Sequence, residues 1–127
     1  MSNLRNPDIR TRDIRKLVGY KSQEIAWDQG CDETSEWVMA SLEDEAHVKT
    51  LINWLSSKNI PLESEAVLID SGWKRPKRVC WGDLISDPRK YFGKDMFQLY
   101  DLDLNWTMEY QVQEIARFGR YGVVQNA

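Results

Sequence analysis

From Tyr100 to Val112 the chain alternates without a break. Tyr100, Leu102, Leu104, Trp106, Met108, Tyr110 and Val112 are apolar or aromatic, and Asp101, Asp103, Asn105, Thr107, Glu109 and Gln111 between them are polar. A period of two over that length predicts an extended strand with one face on a core and the other toward water. Glu114 to Tyr121 predicts a last strand with Ala116 and Phe118 on one face, and Met96 to Leu99 a strand that leads through an Asp-rich turn into the alternating stretch. The rest of the chain must therefore cover a sheet built near its C-terminal end.

The covering element is a helix predicted over about 42–58. Ser41 and Asp44 form a capping-box-like pair, and Glu43, Asp44 and Glu45 put negative charge at the positive end of the helix dipole. Val48, Leu51, Ile52 and Leu55 fall on one face. Asn59 suits the left-handed position after a helix, and Pro61 prevents continuation. A short strand at Trp37–Ala40 and a buried one at Ala66–Ile69 would complete a strand–helix–strand crossover. Upstream, Asn6 as N-cap, Pro7 and Asp8 predict a short helix from about Pro7 to Val18 closed by Gly19; residues 1–22 are either that helix packed on the domain or a basic arm. Pro76 confines its segment to a sheet edge or a loop, and Trp81 to Tyr91 predicts a short helix broken at Asp87-Pro88. The expectation is one α+β domain over 1–127 with its core at 36–121. It has two layers, the main helix lying on a mostly antiparallel sheet that ends in a C-terminal hairpin or meander. A chain of 127 residues buries such a core without disulfides or metal.

Charge is unevenly spread beneath a net value of −3. Residues 1–21 carry a balance of +4, residues 22–70 one of −9, and residues 71–127 one of +2, an asymmetry that bears on partners more than on fold. No apolar run is long enough to span a membrane. The polar N-terminus lacks an apolar h-region and the two thiols, Cys31 and Cys80, lack a disulfide or metal-ligand pattern. A cytoplasmic protein without membrane contact is the expectation.

No motif dictates a chemistry. His47 is the only histidine, with no second ligand beside it. Asp101-x-Asp103-x-Asn105 opens like a calcium loop, but Trp106 stands where glycine is needed and Val112 where a bidentate glutamate is needed. Neither a metal nor another cofactor is expected. Cys80 has Lys77 and Arg78 nearby in sequence and only His47 as a conceivable base; a cysteine-dependent enzyme is an alternative, but no catalytic residues are assigned and a non-enzyme is expected. Trp73, Lys74, Arg75, Lys77 and Arg78, closed by Trp81, combine cations with rings that stack on bases, which makes a small nucleic-acid-binding module the other alternative in a chain acidic as a whole. The acidic tract supplies the leading candidate surface: Asp28, Asp32, Glu33, Glu36, Glu43, Asp44 and Glu45, with Trp27 and Trp37 as anchors for a basic partner.

Trp37-Val38-Met39-Ala40-Ser41, Asn53-Trp54-Leu55 with Ile60-Pro61, Val79-Cys80-Trp81-Gly82, and Leu104-Asn105-Trp106 before the last hairpin together resemble small bacterial, mostly gammaproteobacterial, proteins. Some of these are uncharacterised; others are immunity proteins of contact-dependent growth inhibition or polymorphic toxin systems. The resemblance covers about residues 36–120, rests mainly on tryptophans of the core, and supplies no catalytic residues. It implies a protein that binds and blocks one cognate toxin domain, a basic nuclease being the kind of toxin that an acidic surface fits.

Overall fold

The computed structural model describes residues 4–6, 8–30, 35–70 and 76–122. Among these residues seven strands make one sheet: β1 (Ala26–Trp27), β2 (Val38–Met39), β3 (Glu65–Asp70), β4 (Lys77–Cys80), β5 (Phe97–Asp101), β6 (Trp106–Gln111) and β7 (Ile115–Arg120). Their order is β1-β7-β6-β5-β3-β4, with β2 also on β7, and every pairing is antiparallel. Three helices accompany it, α1 (Thr11–Lys21), α2 (Glu45–Ser56) and α3 (Trp81–Ser86). The α+β class and the helix-on-sheet arrangement are as the sequence predicts.

Leu51 and Leu55 of α2 and Trp81 and Leu84 of α3 pack on Leu68, Leu99, Met108 and Phe118 across one face of the sheet. Trp81 meets Trp106 edge-on at 5.0 Å, and Trp106 stacks on Phe118 at 5.6 Å. Each such side chain contributes about 1.5–3 kcal/mol by leaving water. On the opposite face Val67, Ile69, Tyr100 and Leu102 meet Leu4, Ile9, Ile14 and Val18. The N-terminal segment is thus a packed element that covers the β3–β5 half of that face. The other half, over β6, β7 and β2, has no helix on it among the described residues.

Several expectations change. The alternating stretch is two strands, because the Asp101 carboxylate accepts the Asn105 N–H at 2.9 Å and the Asp101 carbonyl accepts the Leu104 N–H at 2.9 Å, with Leu104 at φ 54°. The turn exchanges the two faces: Tyr100 and Leu102 belong to the N-terminal cluster, whereas Trp106, Met108 and Tyr110 face α2 and α3. The strand–helix–strand crossover forms, but it is a split one: four antiparallel pairings separate β2 from β3 and leave them parallel, and α2 joins them. The step is about 19 Å at the usual spacing, which α2 with a rise of about 18 Å and its loops can span. The cap of α2 is Asp44, whose carboxylate accepts the His47 N–H at 2.9 Å, while Ser41 Oγ accepts the Glu43 N–H at 3.0 Å; the helix therefore starts at Glu45 rather than near 42 and ends at Ser56. Asn59 takes the left-handed position at φ 59° as predicted. α1 starts at Thr11 and runs through Gly19 to Lys21, because Asn6 closes a turn of its own, its side-chain oxygen accepting the Asp8 N–H at 3.0 Å and its carbonyl the Ile9 N–H at 3.1 Å. Pro7 lies outside the described residues. β4 follows Pro76 directly and forms the sheet edge, and α3 ends before Asp87-Pro88, both as predicted.

Candidate functional site

The open half of the sheet is polar and organised around Arg117. On β7, Ala116 and Phe118 turn inward and Arg117 outward, by the strand's period of two. Register places Glu109 of β6 beside Arg117, and Gln98 of β5 beside Glu109. The Arg117 Nε donates to Glu109 at 2.8 Å and its Nη1 donates to Glu36 at 2.7 Å. The Gln98 Nε2 donates to the other Glu109 oxygen at 3.4 Å, and Tyr100 donates its hydroxyl to Gln98 at 2.9 Å. A ladder of hydrogen bonds thus crosses three strands and ends at the N-terminal cluster.

Two indoles enclose the guanidinium. The Trp27 ring centroid lies 3.7 Å from Arg117 Cζ and that of Trp37 lies 4.6 Å away, distances at which the ring quadrupoles attract the cation. Two glycines permit this. A Cβ on Gly119 would fall 2.8 Å from the Trp27 ring and 2.6 Å from Ile25, so glycine lets β1 lay its tryptophan across β7. A Cβ on Gly30 would fall 2.4 Å from backbone atoms of Glu36 and Trp37, and there the Gly30 N–H donates to the Ser35 carbonyl at 2.7 Å. Gly30 can approach the Glu36–Trp37 backbone this closely only without a side chain.

Beside this cluster the surface turns apolar and acidic. Met39 pairs with Ile115, which in turn pairs with Gln111, so Met39 and Val112 lie at the same end of the sheet. They are 57% and 60% exposed, and Glu114 lies in the same turn, its carbonyl accepting the Ala40 N–H at 2.7 Å. Glu43, Asp44 and Glu45 follow at the exposed start of α2.

The structure distributes the acidic tract over several roles. Trp27, Trp37 and Glu36 come together at Arg117. Asp28 turns to the α2 side, where its carboxylate accepts from the buried Lys58 ammonium at 2.8 Å, and Lys58 also lies over Trp54 and Phe118. Asp44 caps α2. Glu45 lies 3.5 Å from Arg89 with its side chain 92% exposed, and Glu43 is exposed. Asp32 and Glu33 fall outside the described residues, as do Trp73, Lys74 and Arg75. Lys77 and Arg78 part company on β4: Lys77 borders a cleft with Lys90 and Lys94, while Arg78 donates to the carbonyls of Leu4 and Arg5 at 3.0 and 2.9 Å. His47 Nδ1 contacts Ser41 Oγ at 3.1 Å, and Cys80 ends β4 as a half-buried free thiol; Cys31 lies outside the described residues. Asp103 forms a bidentate pair with Arg5 at 2.7 Å, and this hydrogen-bonded guanidinium holds its carboxyl below the usual range.

Sequence reading misses Arg117, Glu109, Met39 and Val112 as members of the site. The available signal was the Glu109–Arg117 separation, which becomes a cross-strand pair only once the β6–β7 turn is placed. No group of three or more His, Cys, Asp or Glu side chains suited to a metal occurs among the described residues, nor is any helix there long and apolar enough to cross a membrane. Comparison with protein-family models, curated proteins and solved structures gives no match.

Proposed function

We propose that the chain is an immunity protein of the cytoplasm that binds one cognate toxin domain and blocks it by occupying its surface, with no chemistry of its own. One observation carries this reading. Met39 and Val112, large apolar side chains more than half exposed, lie at one end of the sheet, and Met39 stands in the chain two residues after Trp37 and four before the exposed Glu43. Apolar and aromatic anchors bordered by charge are the composition of a protein-docking surface. Its carboxylates (Glu36, Glu43, Glu45 and Glu114) suit a basic partner such as a nuclease, whose cleft is built for phosphates. In this reading Glu43 and Glu45, both exposed, steer association, whereas Asp28 and Asp44 support the scaffold.

The test is calorimetry with the product of the adjacent upstream gene, together with survival of cells that express that product. The expected result is a complex and protection, with Met39→Arg weakening affinity about tenfold or more, as loss of a central anchor does. Glu43→Lys with Glu45→Lys should chiefly slow association and flatten its salt dependence. Neither complex nor protection would overturn the function. A complex indifferent to all three substitutions would overturn the surface.

A further inference from the structure

A second site lies at the β4 edge of the sheet. A cleft of about 370 Å³ opens between β3, β4 and residues 90–97, within the size range of small-ligand sites. Its apolar wall comes from Leu68, Val79, Met96 and Phe97. Three lysines border it: Lys77 on the edge strand, and Lys90 and Lys94 on the segment opposite, all exposed. Tyr91 adds a partly exposed ring, with the Lys90 ammonium 5.8 Å from its centroid. Asp70 and Asp95 also line the cleft. Arg78 borders it too, but its guanidinium is held by the Leu4 and Arg5 carbonyls and so is committed elsewhere.

These groups are complementary to three parts of one ligand. Ammonium groups on both sides of a cleft meet a phosphate as point charges. A ring beside an apolar wall accepts a planar base, which stacks on an aromatic side chain whatever its sequence. The Asp95 carboxylate at the same mouth accepts hydrogen bonds from ribose hydroxyls, as acidic residues do in dinucleotide sites. A phosphate alone would leave the wall unused and would meet two carboxylates; a neutral aromatic would leave the surplus of positive charge at the mouth unmatched. We infer that this cleft binds a ribonucleoside phosphate, either free or as one residue of a single strand.

The experiment uses the full chain and isothermal titration with each of the four ribonucleoside monophosphates, inorganic phosphate and a ten-residue oligoadenylate. At least one monophosphate should bind saturably. Lys77→Ala with Lys90→Ala and Lys94→Ala should weaken it about tenfold or more, and because all three side chains are exposed the fold should be retained. Tyr91→Leu should weaken the nucleotide about fivefold or more while leaving any phosphate binding in place. An oligonucleotide that binds more tightly than the monophosphate identifies a strand as the natural source; equal affinity identifies the free nucleotide. Inorganic phosphate binding as well as the nucleotides would overturn the inference, as would binding of none, or binding untouched by the lysine substitutions. Because these titrations contain no toxin, their outcome is read separately from that of the toxin-binding test.

Discussion

At the scale of single residues, Arg117 ties three other segments to β7. It links β7 to β6 through Glu109, to the segment before β2 through Glu36, and to β1 through Trp27. Its side chain is 21% exposed and that of Glu109 is 17% exposed, so removing the cation leaves a carboxylate largely screened from water. Arg117→Ala should therefore cost about 2–4 kcal/mol in a urea titration, and the emission of Trp27 and Trp37 should move to the red as water reaches both rings. Arg117→Lys keeps the charge but not the planar fork that serves two carboxylates between two rings, and should cost about 1–2 kcal/mol. Gly30→Ala acts on the same cluster from the backbone side. Its methyl would meet backbone carbon, nitrogen and oxygen at 2.4–2.5 Å, atoms that cannot swing aside, so a loss of about 2 kcal/mol or more is expected, together with weakened toxin binding.

Among the elements, α1 offers the clearest test, since its role could not be decided from composition. Ile14 is 0% exposed and Val18 8%, packed with Val67, Ile69 and Tyr100. Ile14→Ala should cost about 2–5 kcal/mol, the usual range for such a truncation; a loss below about 0.5 kcal/mol would mean that α1 does not hold to the sheet in solution. What sequence could reveal follows from how many residues each pattern repeats over. α2 shows two turns of one apolar face and has stop signals at Asn59 and Pro61, so its face was legible, although its start was misplaced by an alternative local hydrogen bond at Ser41. β7 showed its inward pair, Ala116 and Phe118. β1 and β2 have two residues each, too few for any period, and they are defined only by pairing with β7. The Asp-rich turn was legible, but its bounds at Leu102–Asn105 were not, because the alternation persists across it: Leu102 and Leu104 are apolar for the N-terminal cluster and Trp106 is apolar for the helical side. The site followed the same logic. Trp27, Trp37 and Glu36 could be named from local sequence, but the arginine between them comes from a strand eighty residues on, and its position depends on register.

For the whole molecule, one sheet carries two cores, and burial on the N-terminal side ties folding to protons at high pH. Tyr100 is 6% exposed and Tyr121 9%. Burial is the main cause that pushes the Tyr121 phenol up to about 12, with Thr107 opposing through a hydrogen bond and Glu109 adding to it; burial pushes Tyr100 up as well, helped by Tyr121 and Glu109. In the unfolded chain both phenols ionise near 10. The folded chain therefore retains protons that the unfolded chain releases, and stability falls as pH rises wherever the unfolded state binds fewer protons. The contribution of Tyr121 is fully present below about pH 10 and is lost as pH climbs to about 12, at up to about 1.4 kcal/mol per pH unit once the unfolded phenol is ionised. Tyr100 adds a loss of the same sign. The acid side differs: the Arg5–Asp103 pair is more than half exposed on both side chains, so its stabilisation, present above the usual carboxyl pKa and lost as pH falls through the lowered one, is screened and small. Urea midpoints should hold level from about pH 7 to 9.5 and then decline, while phenolate absorbance shows Tyr100 and Tyr121, together with the less buried Tyr91, titrating late. In Tyr121→Phe the decline should be shallower, since the remaining phenols no longer include the one whose proton the fold retains up to about 12. A midpoint unchanged to about pH 11.5, or the same slope in Tyr121→Phe, would mean that Tyr121 is hydrated in solution and that this side of the sheet is more open than its packing indicates.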